Sequence, residues 1–196
     1  MNSLAGKIIL ITGAGRGAGR ALALALAARG ARLAANDISP VNVETVVDEI
    51  LAAGGQARVY LHDVAKKVDV QALINSLIDE YGRLDVLINC ANVQPPAPLL
   101  DLDEWDLHRL FEVNAIGTLL MIQSAGRVMR AQGSGQILNV IKLPANAPAA
   151  FIASRAGLEA MSLRADAELR PYGVRVHAVT SDPPLEAVFH LLEAQP

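Results

Sequence analysis

The residues "TGAGRGAG", at positions 12–19, join a β-rich run to a helical one. The run "KIILIT" at 7–12 precedes them, and a stretch of helical composition near 17–29 follows. Glycines permit a tight turn between the two and let phosphate oxygens approach the backbone, while the helix start presents free N–H groups and a positive dipole end. The segment therefore predicts a strand, a turn and a helix arranged to bind a pyrophosphate.

The rest of the chain repeats this alternation of β-rich and helical segments. The β-rich runs lie at 7–12, 31–36, 56–61, 84–89, 135–141 and 173–179. The helical stretches lie near 17–29, 41–53, 65–81, 103–131 and 151–170. Repeated strand–helix units predict a parallel sheet with helices on both faces, and right-handed crossovers make such a sheet doubly wound. We therefore expect one domain over residues 1–196, an α/β Rossmann fold with a parallel sheet of six or seven strands.

Asp37 lies twenty residues after Gly17, at the end of the second β-rich run. A carboxylate at this distance accepts hydrogen bonds from both ribose hydroxyls and repels a 2′-phosphate. Arg16 is a weaker sign in the opposite direction, because a guanidinium can bind that phosphate. We therefore expect a dinucleotide as the partner of the chain, with NAD favoured over NADP.

Composition and charge argue against other classes of protein. The net charge of −3 and the isoelectric point near 5.8 give no basic excess for nucleic-acid binding. The apolar run "ALALALAA" at 21–28 is too short to cross a bilayer. Cys90 is the single cysteine, which rules out an internal disulfide and fits a reducing compartment. We expect a cytoplasmic protein with no membrane partner, no nucleic-acid partner and no metal site.

Four motifs together resemble the short-chain dehydrogenase/reductase (SDR) family over nearly the whole chain. The glycine motif at 12–19 has that family's spacing, and "HDV" at 62–64 is similar to its Asp-Val after the third strand. "NCAN" at 89–92 stands where the family has Asn-Asn-Ala-Gly, with Cys90 and Asn92 departing from it. "EVNAIG" at 112–117 resembles the segment that holds the family's catalytic asparagine.

This resemblance implies a set of cofactor contacts, with Asp63 and Val64 beside the adenine. The complete set is Thr12, Gly13, Gly15, Arg16, Gly17, Ala18, Gly19, Asp37, Ile38, Asp63, Val64, Asn89, Ala91 and Arg155.

The family's four catalytic positions fall on Asn114, Lys142, Phe151 and Arg155. The resemblance implies a tyrosine and a lysine, spaced Tyr-x-x-x-Lys, that pass a proton to or from the substrate. A serine orients the substrate oxygen, and an asparagine orders a relay water. In "FIASR" at 151–155, Phe151 takes the tyrosine position and Arg155 the lysine position, while Lys142 takes the serine position. Only Asn114 is retained, so we expect a degenerate site whose three substituted residues are non-catalytic.

Each substitution changes the chemistry of the site. Phe151 supplies a ring but no exchangeable proton, and general acid–base catalysis is typically worth ~10²–10⁴-fold. Arg155 can donate to ribose hydroxyls, but a guanidinium stays charged and cannot shuttle protons. Lys142 brings a cation in place of a hydroxyl. We expect Lys142 to pair with Asp182 and partly fill the nicotinamide pocket. An unpaired Lys142 would repel the positive charge of an oxidised nicotinamide, which makes NADH the preferred form of the cofactor.

The end of the sequence differs from the family as well. "SDPP" at 181–184 stands where the family has Pro-Gly, and few residues follow it. We therefore expect a truncated C-terminal substrate region. From the resemblance we also expect a homodimer or homotetramer that pairs the helices at 103–131 and 151–170.

Three functions are compatible with these residues. The first is an SDR-like NAD(H)-binding protein without classical dehydrogenase or reductase activity, acting as a sensor or assembly partner. The alternative is an NAD(P)-dependent oxidoreductase with an atypical active site. The third is a structural protein that retains the fold without a ligand, against which the retained adenine-side residues argue.

Overall fold

The computed structural model describes residues 4–193, so three residues at each end of the predicted domain 1–196 lie outside it. Its centre is a six-stranded parallel sheet in the order β3–β2–β1–β4–β5–β6. The strands are β1 (Ile8–Thr12), β2 (Arg32–Asn36), β3 (Gln56–Tyr60), β4 (Val86–Asn89), β5 (Gly135–Val140) and β6 (Val174–Val179). The strand order reverses between β1 and β4, which confirms the doubly wound fold.

Helices connect the strands and cover both faces of the sheet. They are α1 (Gly17–Ala27), α2 (Pro40–Ala52), α3 (Lys67–Tyr81), α4 (Glu104–Phe111), α5 (Thr118–Gln132), α6 (Ala149–Ala156), α7 (Leu158–Leu169) and α8 (Leu185–Glu193). None of the helices within residues 4–193 combines the length and the apolar character needed to cross a membrane.

Two predicted helices are interrupted, and one helix was not predicted. The helix expected near 103–131 consists of α4, a π-helical segment Glu112–Gly117, and α5. The helix expected near 151–170 breaks at Gly157 between α6 and α7. The sequence reasoning missed α8, which follows the proline-rich stretch at 181–184.

The apolar strand residues supply two cores because the sheet is covered on both sides. Along β1, Ile9 and Ile11 face one core, whereas Ile8 and Leu10 face the other. Helices α1, α2 and α8 pack on the first face, and helices α3, α5 and α7 pack on the second. The carboxyl ends of all six parallel strands consequently share one edge, and in open α/β sheets ligands bind at that edge where the strand order reverses.

Candidate functional site

A cavity of about 700 Å³ opens at the carboxyl edge, between the ends of β1 and β4. Ten residues predicted to contact a cofactor line it: Gly13, Arg16, Gly17, Ala18, Gly19, Asp37, Ile38, Asp63, Val64 and Ala91. The lining also includes residues that sequence reasoning did not assign: Asn36, His62, Cys90, Asn92, Val93, Gln94, Pro95, Trp105, Asp106, Arg109 and Val113.

The glycine turn after β1 forms the floor of the cavity, and two of its positions require glycine. Gly13 has a φ of 67°, and a Cβ there would lie 2.7 Å from the Ala91 Cα. A Cβ on Gly19 would lie 2.1 Å from the Gly13 carbonyl oxygen. Arg16, which precedes α1, makes no side-chain capping bond to the first turn. The N–H groups at the start of α1 are therefore available to an anion, as a dinucleotide pyrophosphate requires.

Asp37 closes the cavity beside the glycine turn and is held in one orientation. Its Oδ2 accepts a hydrogen bond from the Gly15 N–H at 2.9 Å, and its Oδ1 accepts one from the Ser39 N–H at 3.0 Å. The residue is only 7 % exposed. Because a carboxylate oxygen can accept two hydrogen bonds, each oxygen keeps a free lone pair that suits a ribose hydroxyl.

Asp63 contacts a helix that the sequence did not link to it. Its Oδ2 lies 3.0 Å from Nη1 of Arg109 on α4, and its Oδ1 accepts from the Ala65 N–H at 3.0 Å. Trp105 and Asp106 lie one turn before Arg109, so one face of α4 lines the cavity. The sequence shows that these three residues have helical spacing. It does not show that α4 packs over the end of β3.

Thr12 and Asn89, both predicted to contact the cofactor, lie behind the cavity wall. Thr12 Oγ1 accepts from the N–H groups of Cys90 and Ala91, each at 3.3 Å. Asn89 Nδ2 donates to Asn139 Oδ1 at 2.8 Å. These hydrogen bonds hold the ends of β1, β4 and β5 together. The two side chains therefore support the cavity wall without contacting the cavity.

Asn114, the retained catalytic position, is fully buried in the π-helical segment. Its Oδ1 accepts from the Val93 N–H at 2.8 Å, and its Nδ2 donates to the Val93 carbonyl and to Ser154 Oγ, both at 2.9 Å. Ser154 Oγ in turn donates to the Phe151 carbonyl at 2.8 Å. Asn114 therefore fastens the loop after β4 to helix α6. A π-helical segment contains one extra residue per turn and is frequent at functional sites.

Phe151 and Arg155 both point into the protein from α6. Phe151 is 3 % exposed and packs with Leu110 of α4 and with Ala150. Arg155 is equally buried, and its guanidinium donates to the Val140 carbonyl at the end of β5. Among the described residues, no carboxylate pairs with Arg155 and no acceptor meets its Nε.

Burial shifts the pKa values of two groups at this edge. Removal from water lowers the pKa of Arg155, an effect that the neighbouring Cys90 opposes. Burial also raises the pKa of the Cys90 thiol to about 12, although the charge of Arg155 works against this rise. The thiol is therefore neutral at physiological pH, and the guanidinium is a buried cation.

Lys142 and Asp182 form the ion pair that the sequence predicted. Lys142 Nζ lies 2.7 Å from Asp182 Oδ2, and both side chains are about half exposed. The pair joins the loops that follow β5 and β6. Lys142, Phe151, Arg155 and Asn114 do not line the cavity, and neither do Thr12, Gly15 and Asn89. The predicted residues therefore separate into a group that lines the cavity and a group that lies behind or beside it.

Comparisons with known proteins agree with this geometry. A family model described as short chain dehydrogenase matches residues 7–184. A D-threitol dehydrogenase of Mycolicibacterium smegmatis is 35% identical over 183 residues, which are 90% of this chain and 70% of that protein. A 3-oxoacyl-[acyl-carrier-protein] reductase of Synechocystis is 34% identical over 184 residues, 91% of this chain and 74% of that protein.

Solved structures are similar over the same region. NAD⁺-bound xylitol dehydrogenase superposes with a TM-score of 0.85 at 31% identity, over 90% of this chain and 70% of that chain. A metagenomic short-chain oxidoreductase in complex with NADP superposes with a TM-score of 0.92 at 30% identity, over 98% of this chain and 93% of that chain. Both forms of the nicotinamide dinucleotide therefore occur among structures of this shape.

Proposed function

The chain belongs to the short-chain dehydrogenase family, and we propose that it is an NAD(P)-dependent oxidoreductase with an atypical active site, carried by one dinucleotide-binding domain. Relatives that match most of this chain are named as dehydrogenases and reductases. This similarity favours the oxidoreductase over the non-catalytic binding protein that the substituted residues alone suggest.

One observation carries the proposal: the glycine turn and Asp37 line the same cavity. A Cβ at Gly13 or Gly19 would collide with the backbone of Ala91 or Gly13, so glycine at these positions lets the turn close beneath the cavity. A bound nicotinamide dinucleotide would supply the hydride chemistry. The chain itself would hold the pyrophosphate at the start of α1 and the adenosine ribose at Asp37.

We propose NAD rather than NADP as the cofactor, although relatives bind each of them. The reason is the fixed carboxylate of Asp37, which suits a ribose diol and repels a 2′-phosphate. Arg16 at the cavity opposes this preference less strongly, because its side chain is exposed and solvent screens its charge. We also propose that NADH binds better than NAD⁺, because the cations Lys142 and Arg155 both lie at the carboxyl end of β5, on the side of the cavity opposite to Asp37.

A second candidate function is supported by α6. Phe151 offers no exchangeable proton, and Arg155 is occupied by the Val140 carbonyl. A protein of this kind would bind NAD(H) and act as a sensor or assembly partner without turnover. Asn114 would then be structural, because its amide bonds Val93 and Ser154.

Binding and turnover measured together distinguish these functions. Thermal unfolding with NAD⁺, NADH and ADP tests binding, because a ligand at about 100 times its dissociation constant adds ~2.7 kcal/mol of stability. A screen of alcohols, ketones and sugars at the absorbance of NADH tests turnover. Reproducible turnover supports the oxidoreductase, binding without turnover supports the sensor, and no binding supports a structural protein.

We further propose a homodimer or homotetramer in the cytoplasm. Four apolar residues are exposed in the single chain: Phe111 on α4, Ile116 in the π-helical segment, Leu119 on α5 and Leu163 on α7. Such positions favour burial against a second copy. The lone buried Cys90 supports the location. A monomer in light scattering would contradict the assembly, and microscopy of the tagged protein tests the location.

A further inference from the structure

Two cations lie at the ends of β5 and β6, and only one of them can transfer a proton. Arg155 is buried, and a guanidinium keeps its charge at any accessible pH. Lys142 carries an ammonium, and its side chain is 56% exposed. An exposed ammonium can release a proton to a reacting group and recover one from water.

Lys142 does not line the cavity, but it follows β5, the strand next to β4, whose exit does line it. Strands β4 and β5 pair with Asn89 opposite Asn139, so Cys90 follows β4 next to Val140. Neighbouring strands are about 4.8 Å apart. The segment that leaves β4, from Cys90 to Pro95, lines the cavity, and the segment that leaves β5 towards Lys142 starts one strand away from it. Asp182 Oδ2 lies 2.7 Å from Lys142 Nζ, and this ion pair limits the positions that the ammonium can occupy.

Other groups at this edge are poorer proton donors. Phe151 has no acidic hydrogen, and the Asn114 amide hydrogens are donated to Val93 and Ser154. The Cys90 thiol is 6% exposed, so a proton lost there is not readily replaced from solvent. An ammonium has three hydrogens, and one ion pair leaves two of them free.

We propose that Lys142 donates the proton that completes carbonyl reduction in this protein, an inference that rests on the proposed oxidoreductase function. A bound reduced nicotinamide would supply the hydride, with its two electrons, to the carbonyl carbon of an aldehyde or ketone. The electron pair of the C=O π bond moves to oxygen and takes a proton from Lys142 Nζ, so a C–H and an O–H bond form. Lys142 is left as a neutral amine, and water restores its proton. Alcohol oxidation runs through the same steps in reverse.

Chemical labelling tests the position of Lys142 without any turnover. A lysine-acetylating reagent is applied to the whole chain with saturating NADH, with saturating ADP and without ligand, and the acetylated peptides are quantified by mass spectrometry. We expect NADH to slow labelling of Lys142 several-fold and ADP to leave it unchanged, because ADP lacks the nicotinamide half. Lys7, Lys66 and Lys67 are the other lysines of the sequence and serve as internal controls. Equal labelling of Lys142 with and without bound NADH overturns the inference.

Two variants test the chemistry. Lys142→Arg keeps the positive charge but has no transferable proton, and Lys142→Met removes both. We expect both variants to lower kcat by about 100-fold or more, as the loss of a general acid does, with NADH affinity changed less than kcat. Turnover retained in Lys142→Arg overturns the inference and leaves the oxidoreductase function intact. Failure of the wild-type chain to bind NADH, or to reduce any carbonyl while binding it, overturns the proposed function and this inference with it.

Discussion

Asn114 donates from Nδ2 to Ser154 Oγ at 2.9 Å, and this bond ties the π-helical segment to helix α6. The same amide makes two hydrogen bonds with the backbone of Val93. One buried side chain therefore holds together the loop after β4, the π-helical segment and the helix that carries Phe151 and Arg155.

We predict that Asn114→Ala lowers the free energy of unfolding by about 2–4 kcal/mol. The change leaves the Val93 backbone and the Ser154 hydroxyl with unmade bonds, and each buried unsatisfied group costs about 1–3 kcal/mol. Urea denaturation followed by circular dichroism measures the loss. Ser154→Ala removes one of the three hydrogen bonds of Asn114, together with the local bond of Ser154 to the Phe151 carbonyl. It is the matched control and should cost about 1 kcal/mol. An unchanged midpoint in Asn114→Ala would show that these bonds do not hold the loop in solution.

Asp37→Ser should change the choice between the two dinucleotides. The carboxylate is positioned to bond the ribose diol, and a hydrogen bond to a charged group is worth about 1.5–3 kcal/mol. We therefore expect the ratio of NADPH to NADH affinity to rise by about 10- to 100-fold. Titration calorimetry measures both affinities.

The affinity ratio is the informative quantity for this variant, because Asp37 also holds Gly15 and Ser39 and its loss weakens the turn for either ligand. Asp48→Ser removes an exposed carboxylate on α2 and is the control for net charge. A ratio unchanged in Asp37→Ser would assign cofactor choice to other residues, with Arg16 the first to examine.

The sequence predicts those parts of the site that depend on local geometry. The glycine turn and Asp37 are separated only by α1 and β2, and strand–helix alternation brings them together in any fold of this kind. The contact between Asp63 and Arg109 joins two distant parts of the chain and depends on how α4 is placed. Sequence periodicity holds no information about that placement.

The interruptions of the helices show the same limit. The apolar pattern near 103–131 is continuous, so it predicts one unbroken helix. It does not show the π-helical segment, in which Asn114 bonds to Val93 and Ser154. Helix α8 was missed because it is short and follows two prolines, yet its Val188 and Leu192 complete the core beside α1. Tertiary contacts stabilise both features, and a single sequence does not display those contacts.

Arg155→Met should reduce the preference for NADH over NAD⁺. Asp182 pairs with Lys142 and offsets its charge, whereas Arg155 has no carboxylate partner among the described residues, so its buried charge would act from behind the end of β5 on a positive nicotinamide bound at that side. Two like charges ~5 Å apart at an effective dielectric of about 20 repel by roughly 3 kcal/mol, an upper bound on the preference. Fluorescence titration with each form gives the ratio, and ADP affinity is the control because ADP carries no nicotinamide. A ratio that does not move in Arg155→Met would place the discriminating charge elsewhere.

Phe151→Ala should cost about 3–5 kcal/mol of folding stability. The ring is 3% exposed and fills a small cluster with Leu110 and Ala150, where truncation leaves a cavity. Phe151→Leu keeps most of the volume and should cost about 1.5 kcal/mol or less. Thermal and urea unfolding of the two variants give the comparison. Equal losses in both would indicate that the cluster collapses around either side chain.

Asp166 should make a stabilising contribution that is lost in acid. Burial favours its neutral form, but hydrogen bonds from the Val176 N–H, Arg170 and Arg175 outweigh burial and lower the pKa from 3.8 to about 2. Because the folded pKa lies below the unfolded one, the contribution is complete above about pH 4 and disappears as the pH falls through 2. A shift of this size corresponds to roughly 2 kcal/mol.

We therefore expect the stability difference between wild type and Asp166→Asn to be about 2 kcal/mol at pH 7 and to shrink below pH 4. Asp48→Asn, at an exposed position, is the control. A difference that stays constant from pH 7 to the acid limit of folding would show that Asp166 acts through its shape and not its charge.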